Sequence, residues 1–364
     1  VSAGAPDPLR TVVVGAGGMG SKWLGLVHRS AGTVPVAVVD LDTARAAEAV
    51  RTVGADGVQL ASELGAILAE VEADILVNTT VPAAHHEVSR AAMEAGLDVV
   101  SEKPAADSLA DGLRLAAVAR ATGRLLSVSQ SRRHTRHVRR LARAAGELAP
   151  TGAISCSFAR GPRFGGFREE MEHPLLLDMA IHPFDTARLL TGAKPRSVLC
   201  LESNPPWSWY KGAAEAVAVF ELDDGSQFSY HGSWCSLGEE TSWNGAWRVE
   251  TPQGSLLWDG DSVPRLGTGT GSVPLDDLDT ESEGIAAGLD QLVAAVRGGP
   301  VPDGVVIDNL GSLAMVEAAV LSAERRAQVS MAEVWEQALE VAQQRETDRH
   351  VRELLPEVVA RASG

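Results

Sequence analysis

Through the first third of the chain, short β-branched apolar runs alternate with stretches whose apolar residues recur at helical spacing. The runs fall at 11–14, 36–39, 75–79, 99–101 and 125–129, and the helical stretches at 21–28, 44–53, 60–69, 85–95 and 110–121. Repeated strand–helix units predict a parallel, doubly wound sheet with right-handed crossovers, which binds its ligand at the carboxyl ends of the strands. The rhythm changes after residue 148. A connecting helix at 139–148 and a Pro-Thr-Gly break give way to strand-like runs at 153–160, 197–202, 214–221, 226–233, 247–251 and 255–258. Only one helical stretch, 175–190, interrupts them, and Asp223-Asp224-Gly225 reads as a hairpin turn. A second domain built on an open, mostly antiparallel sheet follows, so the fold class is α/β throughout. Residues 261–283, rich in Gly, Pro, Ser and Asp, read as a long surface loop, helices return at 284–297, 309–324 and 331–354, and the end from 356 is expected to fray.

The first strand runs straight into Gly15-Ala-Gly17-Gly18-Met19-Gly20, and a second apolar run ends on Asp40, twenty residues later. This is the spacing of a dinucleotide-binding βαβ unit. Gly15 allows the tight turn, Gly17 lets the backbone approach a pyrophosphate, and Gly20 lets helix and strand pack closely. The phosphates then rest on free N–H groups at the positive end of the helix. A carboxylate at Asp40 accepts from both hydroxyls of the adenosine ribose. A 2′-phosphate there would face it at a cost of about 4 kcal/mol at ~4 Å and an effective dielectric of ~20. Leu41 and Asp42 offer no cation in relief, and Arg45 is the nearest, so NAD is expected over NADP. The alternative for Asp40 is a helix N-cap.

Charge and composition narrow the partners. A net charge of −16 argues against DNA, RNA or an anionic membrane surface. No window is expected to reach the ~18 apolar residues of a membrane span, and residues 1–10 lack the apolar core of a signal peptide. Cys156, Cys200 and Cys235 lie far apart and form no metal-ligand spacing, which fits buried thiols in a reducing cytoplasm and no metal site.

Two local groups could act on a substrate. Glu102-Lys103-Pro104 follows the strand ending at Ser101, at the edge of the sheet where the reactive end of a dinucleotide belongs. A lysine there can hold a hydroxyl and polarise the carbonyl it becomes; the alternative is a snorkelling surface side chain. Asp178 and His182 are four apart on one helix, with Asp185 three further on. An imidazole can take an alcohol proton near neutral pH, and a carboxylate one turn away can assist; the alternative is a helix-surface hydrogen bond or a satisfied core histidine. Pro183 predicts a kink or a helix start near Asp178. Arg160, Arg163, Arg168 and His173 precede this helix and could line a pocket or form a solvated loop. Trp207, Trp209, Tyr210, Trp234, Trp243 and Trp247 could stack on sugar rings or pack in the core or at a subunit interface.

The chain resembles the Gfo/Idh/MocA family, named for glucose–fructose oxidoreductase and inositol dehydrogenase. The resemblance runs through Gly15–Gly20 and Asp40, Thr80-Val-Pro82-Ala-Ala-His85, Ser101-Glu102-Lys103-Pro104, Asp178-Met-Ala-Ile-His182-Pro-Phe-Asp185 and Asn309-Leu-Gly-Ser-Leu-Ala-Met-Val-Glu-Ala-Ala319. It implies a Rossmann NAD-binding domain over 1–135 and a substrate-binding and oligomerisation domain over 136–364, with the helices of 284–354 packed back on the first domain. It also implies cofactor contacts from Gly15, Gly17, Gly18, Met19, Gly20, Asp40, Leu41, Thr79, Thr80, Pro82, His85, Glu102, Lys103 and Gln130. Lys103 would polarise the substrate oxygen, His182 serve as general acid and base, and Asp178 orient hydroxyls or support proton transfer. Substrate contacts are expected from Lys103, Arg160, Arg163, His173, Asp178 and His182. Three segments depart from the family pattern: Trp23 where many members carry histidine, Gln130-Ser131-Arg132-Arg133-His134, and His173-Pro174-Leu175 before the aspartate.

The expected protein is a cytoplasmic NAD-dependent oxidoreductase for a secondary hydroxyl of a sugar, inositol or related polyol, a homodimer or homotetramer through its second sheet. Two other readings remain: a non-catalytic NAD-binding regulator, and an enzyme that keeps NAD bound and uses transient oxidation to drive another reaction such as glycosidic cleavage.

Overall fold

The fold is taken from a computed structural model, which describes residues 6–276 and 282–364. The first domain alternates strand and helix: β1 (Leu9–Val14), α1 (Gly18–Arg29), β2 (Thr33–Val39), α2 (Thr43–Val53), β3 (Gln59–Ala61), α3 (Leu64–Glu70), β4 (Ile75–Asn78), α4 (Pro82–Glu94), β5 (Asp98–Ser101), α5 (Leu109–Thr122) and β6 (Leu126–Val128). Six parallel strands lie in the order β3-β2-β1-β4-β5-β6. The order reverses between β1 and β4, so a crevice opens above their carboxyl ends. The central strands are buried on both faces, as near-continuous runs such as Val12-Val13-Val14 and Ile75-Leu76-Val77 require.

A 3-10 turn (Ser131–His134) and α6 (Arg136–Glu147) lead to β7 (Ala153–Ala159), a second 3-10 turn (Gly166–Glu170), a π-helical turn (Leu175–Ala180) and α7 (Ile181–Thr191). Then come β8 (Pro195–Ser203), β9 (Glu215–Leu222), β10 (Gln227–Ser233), β11 (Ala246–Thr251), β12 (Gly254–Trp258), β13 (Arg265–Thr268) and β14 (Gly271–Pro274). The chain closes with α8 (Gly284–Val296), α9 (Val306–Arg325), β15 (Val329–Ser330), α10 (Met331–Arg345) and α11 (Arg349–Ser363). The second sheet has nine strands, β14-β13-β12-β11-β7-β10-β9-β8-β15, antiparallel but for the β7–β10 pair. Gly225, at φ +86°, turns β9 into β10 where the Asp-Asp-Gly sequence predicts it. Strict alternation in β9 buries Ala216, Ala218 and Phe220 under α7, where Phe184 meets Phe220 edge-on at 4.9 Å.

Several sequence expectations give way. The helix expected over 60–69 starts at Leu64, because residues 59–61 pair with β2 as an edge strand. The loop expected over 261–283 contains the β13–β14 hairpin; residues 277–281 of that loop lie outside the described residues. The single helix expected over 331–354 is two, broken at Glu346, and the second continues through Pro356 to Ser363 instead of fraying from 356. Among the described residues one helix, Val306–Arg325, is long and apolar enough by composition to cross a membrane, contrary to expectation. Two thirds of its most apolar 18-residue window is buried, as befits a core helix.

The break at Glu346 has a tertiary cause. Its carboxylate, fully buried, accepts from Arg90 on α4 at 2.8 Å and from Arg114 on α5 at 3.0 Å. This pins the α10–α11 corner to the first domain. Burial alone would raise the Glu346 pKa, but the bonds from Arg90, the Asp348 N–H and Arg114 outweigh it and hold it at about 2. A depressed carboxyl stabilises the fold above its ordinary pKa and loses that contribution as pH falls toward 2. Glu346→Ala leaves two guanidinium groups facing an empty pocket and is expected to cost about 3 kcal/mol. Urea unfolding at pH 7 checks this, and the difference from wild type should shrink at pH 3.

Candidate active site

Everything at the cofactor end follows from the first βα turn. Gly15 sits at φ +93° and its N–H bonds the Val39 carbonyl, while the Thr79 hydroxyl bonds the carbonyls of Val14 and Gly15, both at 2.9 Å. A Cβ on Gly20 would lie 1.9 Å from the Gly15 oxygen, so that position admits no side chain. By contrast, a Cβ on Gly17 or Gly18 would meet nothing within 4 Å: the backbone there faces open space at the N-terminus of α1, whose first turn carries no acid. These residues fit a dinucleotide pyrophosphate.

Two cavities meet at this loop. One, of about 420 Å³, is lined by Gly15, Gly17, Asp40, Leu41 and Arg45 and suits an adenosine. The other, of about 700 Å³, shares Gly17, Thr79 and Thr80 with it and runs on past Gly18, Met19, Pro82, His85, Glu102 and Lys103 into the second domain. Asp40 receives N–H bonds from Ala16 (2.7 Å) and Asp42 (2.9 Å), and Arg45 grips both its oxygens at 2.7 and 3.2 Å. Burial works to raise the Asp40 pKa, but the Arg45 and backbone bonds outweigh it and keep the carboxyl ionised. Arg45 is half out in solvent and must swing aside for a ribose. Asp40→Ser is therefore expected to weaken NAD and free Arg45 for a 2′-phosphate, narrowing the NAD-to-NADP affinity ratio about tenfold or more. Fluorescence titration with each dinucleotide checks it.

At the far end of the large cavity stand Lys103, Asp178 and His182. Lys103 is the second residue past β5, where the Glu102 N–H still bonds the Asn78 carbonyl in parallel register. His85 bridges the Thr80 and Pro104 carbonyls at 3.1 and 2.6 Å and so ties the turn after Lys103 to α4. Glu102 accepts from the buried Trp23 indole at 2.8 Å. The Lys103 ammonium donates to the Asp178 carbonyl at 2.7 Å and lies 3.8 Å from its carboxylate. That carbonyl is available because of Pro183. Asp178 lies in the π turn, where its carbonyl would be bonded by residue 183, and proline has no N–H to give. Burial pulls the Lys103 pKa below its ordinary value; Asp178 and Glu102 oppose this and Arg132 and Arg168 add to it.

His182 is buried, with Nδ1 sealed and without a partner among the described residues, which leaves Nε2 as the ring nitrogen open to the cavity. Burial, then the charges of Arg132 and Lys103, hold its pKa well below the usual 6.5, so the imidazole is neutral at pH 7. Arg168 bonds the other Asp178 oxygen at 3.0 Å. Asp185 does not join the group: Arg133 clamps it at 2.6 and 2.9 Å, and Ser312 adds a third bond.

The structure does not bring every expected residue here. His173 pairs with Glu202 at 2.6 Å, Arg163 stacks on Trp209 at 3.9 Å, and Arg160 bonds Glu240 and the Thr241 carbonyl behind Trp243; none of the three lines the cavity. Gln130 turns into the core, where its amide nitrogen finds no partner among the described residues, and its neighbours Ser129 and Ser131 face the cavity instead. Of the tryptophans, Trp234 and Trp243 line the cavity, 5.8 Å apart, while Trp247 stacks on Phe228 in the core. Arg132, Phe164 and Phe167 line it without having been singled out. Arg132 adjoins Arg133 in a basic run whose members look alike in sequence, and the phenylalanines sit at and just before the short 3-10 turn Gly166–Glu170, in a stretch with no periodicity to orient them.

Two family models cover most of the chain. Residues 9–130 match an oxidoreductase family with an NAD-binding Rossmann fold, and residues 135–257 match the Gfo/Idh/MocA C-terminal domain. The chain belongs to the Gfo/Idh/MocA family. It is accordingly an NAD-dependent oxidoreductase of the dehydrogenase type. It is 28% identical over 257 residues to the uncharacterized protein y4oX of Sinorhizobium fredii, an alignment that spans 68% of this chain and 71% of that one. It is 32% identical over 194 residues to inositol 2-dehydrogenase 4 of Saccharopolyspora erythraea, spanning 52% and 56%. An oxidoreductase of Agrobacterium radiobacter, solved with NAD+, L-tartaric acid and magnesium, superposes with a TM-score of 0.81 at 19% identity, covering 89% of this chain and 99% of that one.

Proposed function

We propose that the protein moves a hydride between a secondary hydroxyl of a sugar, inositol or related polyol and NAD. The observation that carries this reading is the convergence of Lys103, Asp178 and His182 on one cavity continuous with the glycine loop. NAD, when bound, supplies the hydride acceptor. Lys103 holds the substrate oxygen and stabilises the negative charge that grows on it as the C–H bond breaks. His182 Nε2 takes the hydroxyl proton, and returns it in reduction. Asp178, held by Arg168, orients a neighbouring hydroxyl and keeps Lys103 in place. Trp243, exposed at the cavity and backed by the buried Trp234, offers apolar ring surface to the C–H side of a sugar. A panel of polyols and sugars with NAD, followed as NADH absorbance, tests the proposal; no NADH from any of them would remove it.

The pH profile follows from the two pKa directions. Oxidation needs His182 neutral and Lys103 protonated. The acid limb of kcat/KM is therefore expected well below the ordinary histidine value of about 6.5, and the alkaline limb below the ordinary lysine value of about 10.4. A profile from pH 5 to 10 checks both limbs, and Lys103→Arg should move only the alkaline one upward.

The proposal extends to the domains and the assembly. Residues 1–135 hold the cofactor and contribute Lys103 to the substrate site, which 136–364 complete with Asp178 and His182. Leu199, Leu201, Val217 and Val219 stand exposed on paired positions of β8 and β9, and this apolar face supports assembly of two or four copies through the second sheet.

A further inference from the structure

We propose that the substrate carries a carboxylate, held by Arg132 beside the carbon that exchanges hydride; this rests on the oxidation proposed above. The chain has a net charge of −16, yet its large cavity is lined by Lys22, Lys103, Arg132 and Arg168 against only Glu102 and Asp178. Asp178 is shared by Lys103 and Arg168. Glu102 is engaged by Trp23, and Lys22 stands on α1 beside the glycine loop, where a pyrophosphate belongs. Among the described residues that line the cavity, Arg132 is the cation left over.

Its contacts show the same thing. Arg133, one residue on, grips Asp185 through two hydrogen bonds. Arg132 meets only the Met179 sulfur, at 3.6 Å, and no oxygen acceptor among the described residues. A half-buried guanidinium without an anion is costly, and here burial pushes its pKa down to about 10. An arriving carboxylate would satisfy it through two parallel N–H bonds. Met179 follows Asp178 on the π turn, just before His182 in the first turn of α7, and the Arg132 charge acts on His182, so the bound group would sit next to the proton-transfer residues. One surplus positive charge matches a carboxylate better than a phosphate, which carries about −1.5 to −2 at pH 7.

The test reads binding rather than turnover. The protein loaded with NADH is titrated, by tryptophan fluorescence, with pairs that differ only in CH2OH against COO−: sorbitol and gluconate, glucose and glucuronate, galactose and galacturonate. In at least one pair the acid is expected to bind about ten- to a hundredfold tighter. That gap should collapse in Arg132→Met, persist in part in Arg132→Lys, and remain whole in Arg163→Met. Equal or weaker binding of the acid in all three wild-type pairs overturns the proposal. So does tighter binding of glucose 6-phosphate than of every acid, or an undiminished gap in both Arg132 variants. Acids that bind through Arg132 but are never oxidised would leave the carboxylate subsite standing and remove the oxidation instead.

Discussion

His182→Ala is expected to lower kcat for polyol oxidation by about two to four orders of magnitude, the range that a positioned general base supplies. The affinity for NAD should stay unchanged. Nε2 faces the substrate end of the cavity, whereas the cradle is built from Gly15, Gly17 and Gly20 on another domain. Lys103→Met should lose as much, because it removes the donor proposed to polarise the substrate oxygen and also releases the Asp178 carbonyl. Residues that act in one step lose their contributions together, so the double variant should be only slightly slower than the worse single one. NADH absorbance gives the rates and fluorescence titration the NAD affinity. Wild-type turnover by both variants would rule out these roles and favour a dinucleotide-binding regulator.

Gly20→Ala is expected to abolish measurable NAD binding and to lower thermal stability, although it adds one methyl group. That methyl would lie 1.9 Å from the Gly15 oxygen and 2.9 Å from the Thr79 hydroxyl. The first is backbone, so α1 must move away from β1 and carry the loop with it. Overpacking of this kind costs about 1–3 kcal/mol, more where backbone must shift. Gly17→Ala is the informative partner. It has space for a Cβ, so its fold should be unaffected, and any loss of NAD affinity reports the approach of the pyrophosphate itself. Melting curves with and without NAD separate the two cases: Gly20→Ala should melt lower and gain nothing from NAD, while Gly17→Ala should melt like wild type. If Gly20→Ala binds NAD normally, the loop does not hold the pyrophosphate as described.

Much of the molecule can be read along the chain. Buried parallel strands must be apolar on both faces, so β1, β2, β4 and β5 stand out as runs. The glycine loop stands out because only glycine tolerates φ +93° at Gly15 and a carbonyl 1.9 Å from a Cβ at Gly20. The β13–β14 hairpin did not stand out: a Gly- and Ser-rich edge with mostly exposed residues carries no alternation to detect. Nor did the break at Glu346, since the helical pattern continues through it and the cause lies on α4 and α5.

The sequence by itself determined the doubly wound sheet and the glycine loop with Asp40, and it singled out Lys103, Asp178 and His182 as candidate reactive groups. These depend on local backbone demands and on residue type. Only the tertiary structure decided which cations share Asp178, why the carbonyl of Asp178 is free for Lys103, and that His173, Arg160 and Arg163 turn away while Arg132, Phe164 and Phe167 face the cavity. The reason is physical. A side chain's partners are set by what the other domain packs against it, and neither spacing nor composition along one chain encodes the direction in which an arginine on an irregular turn will point.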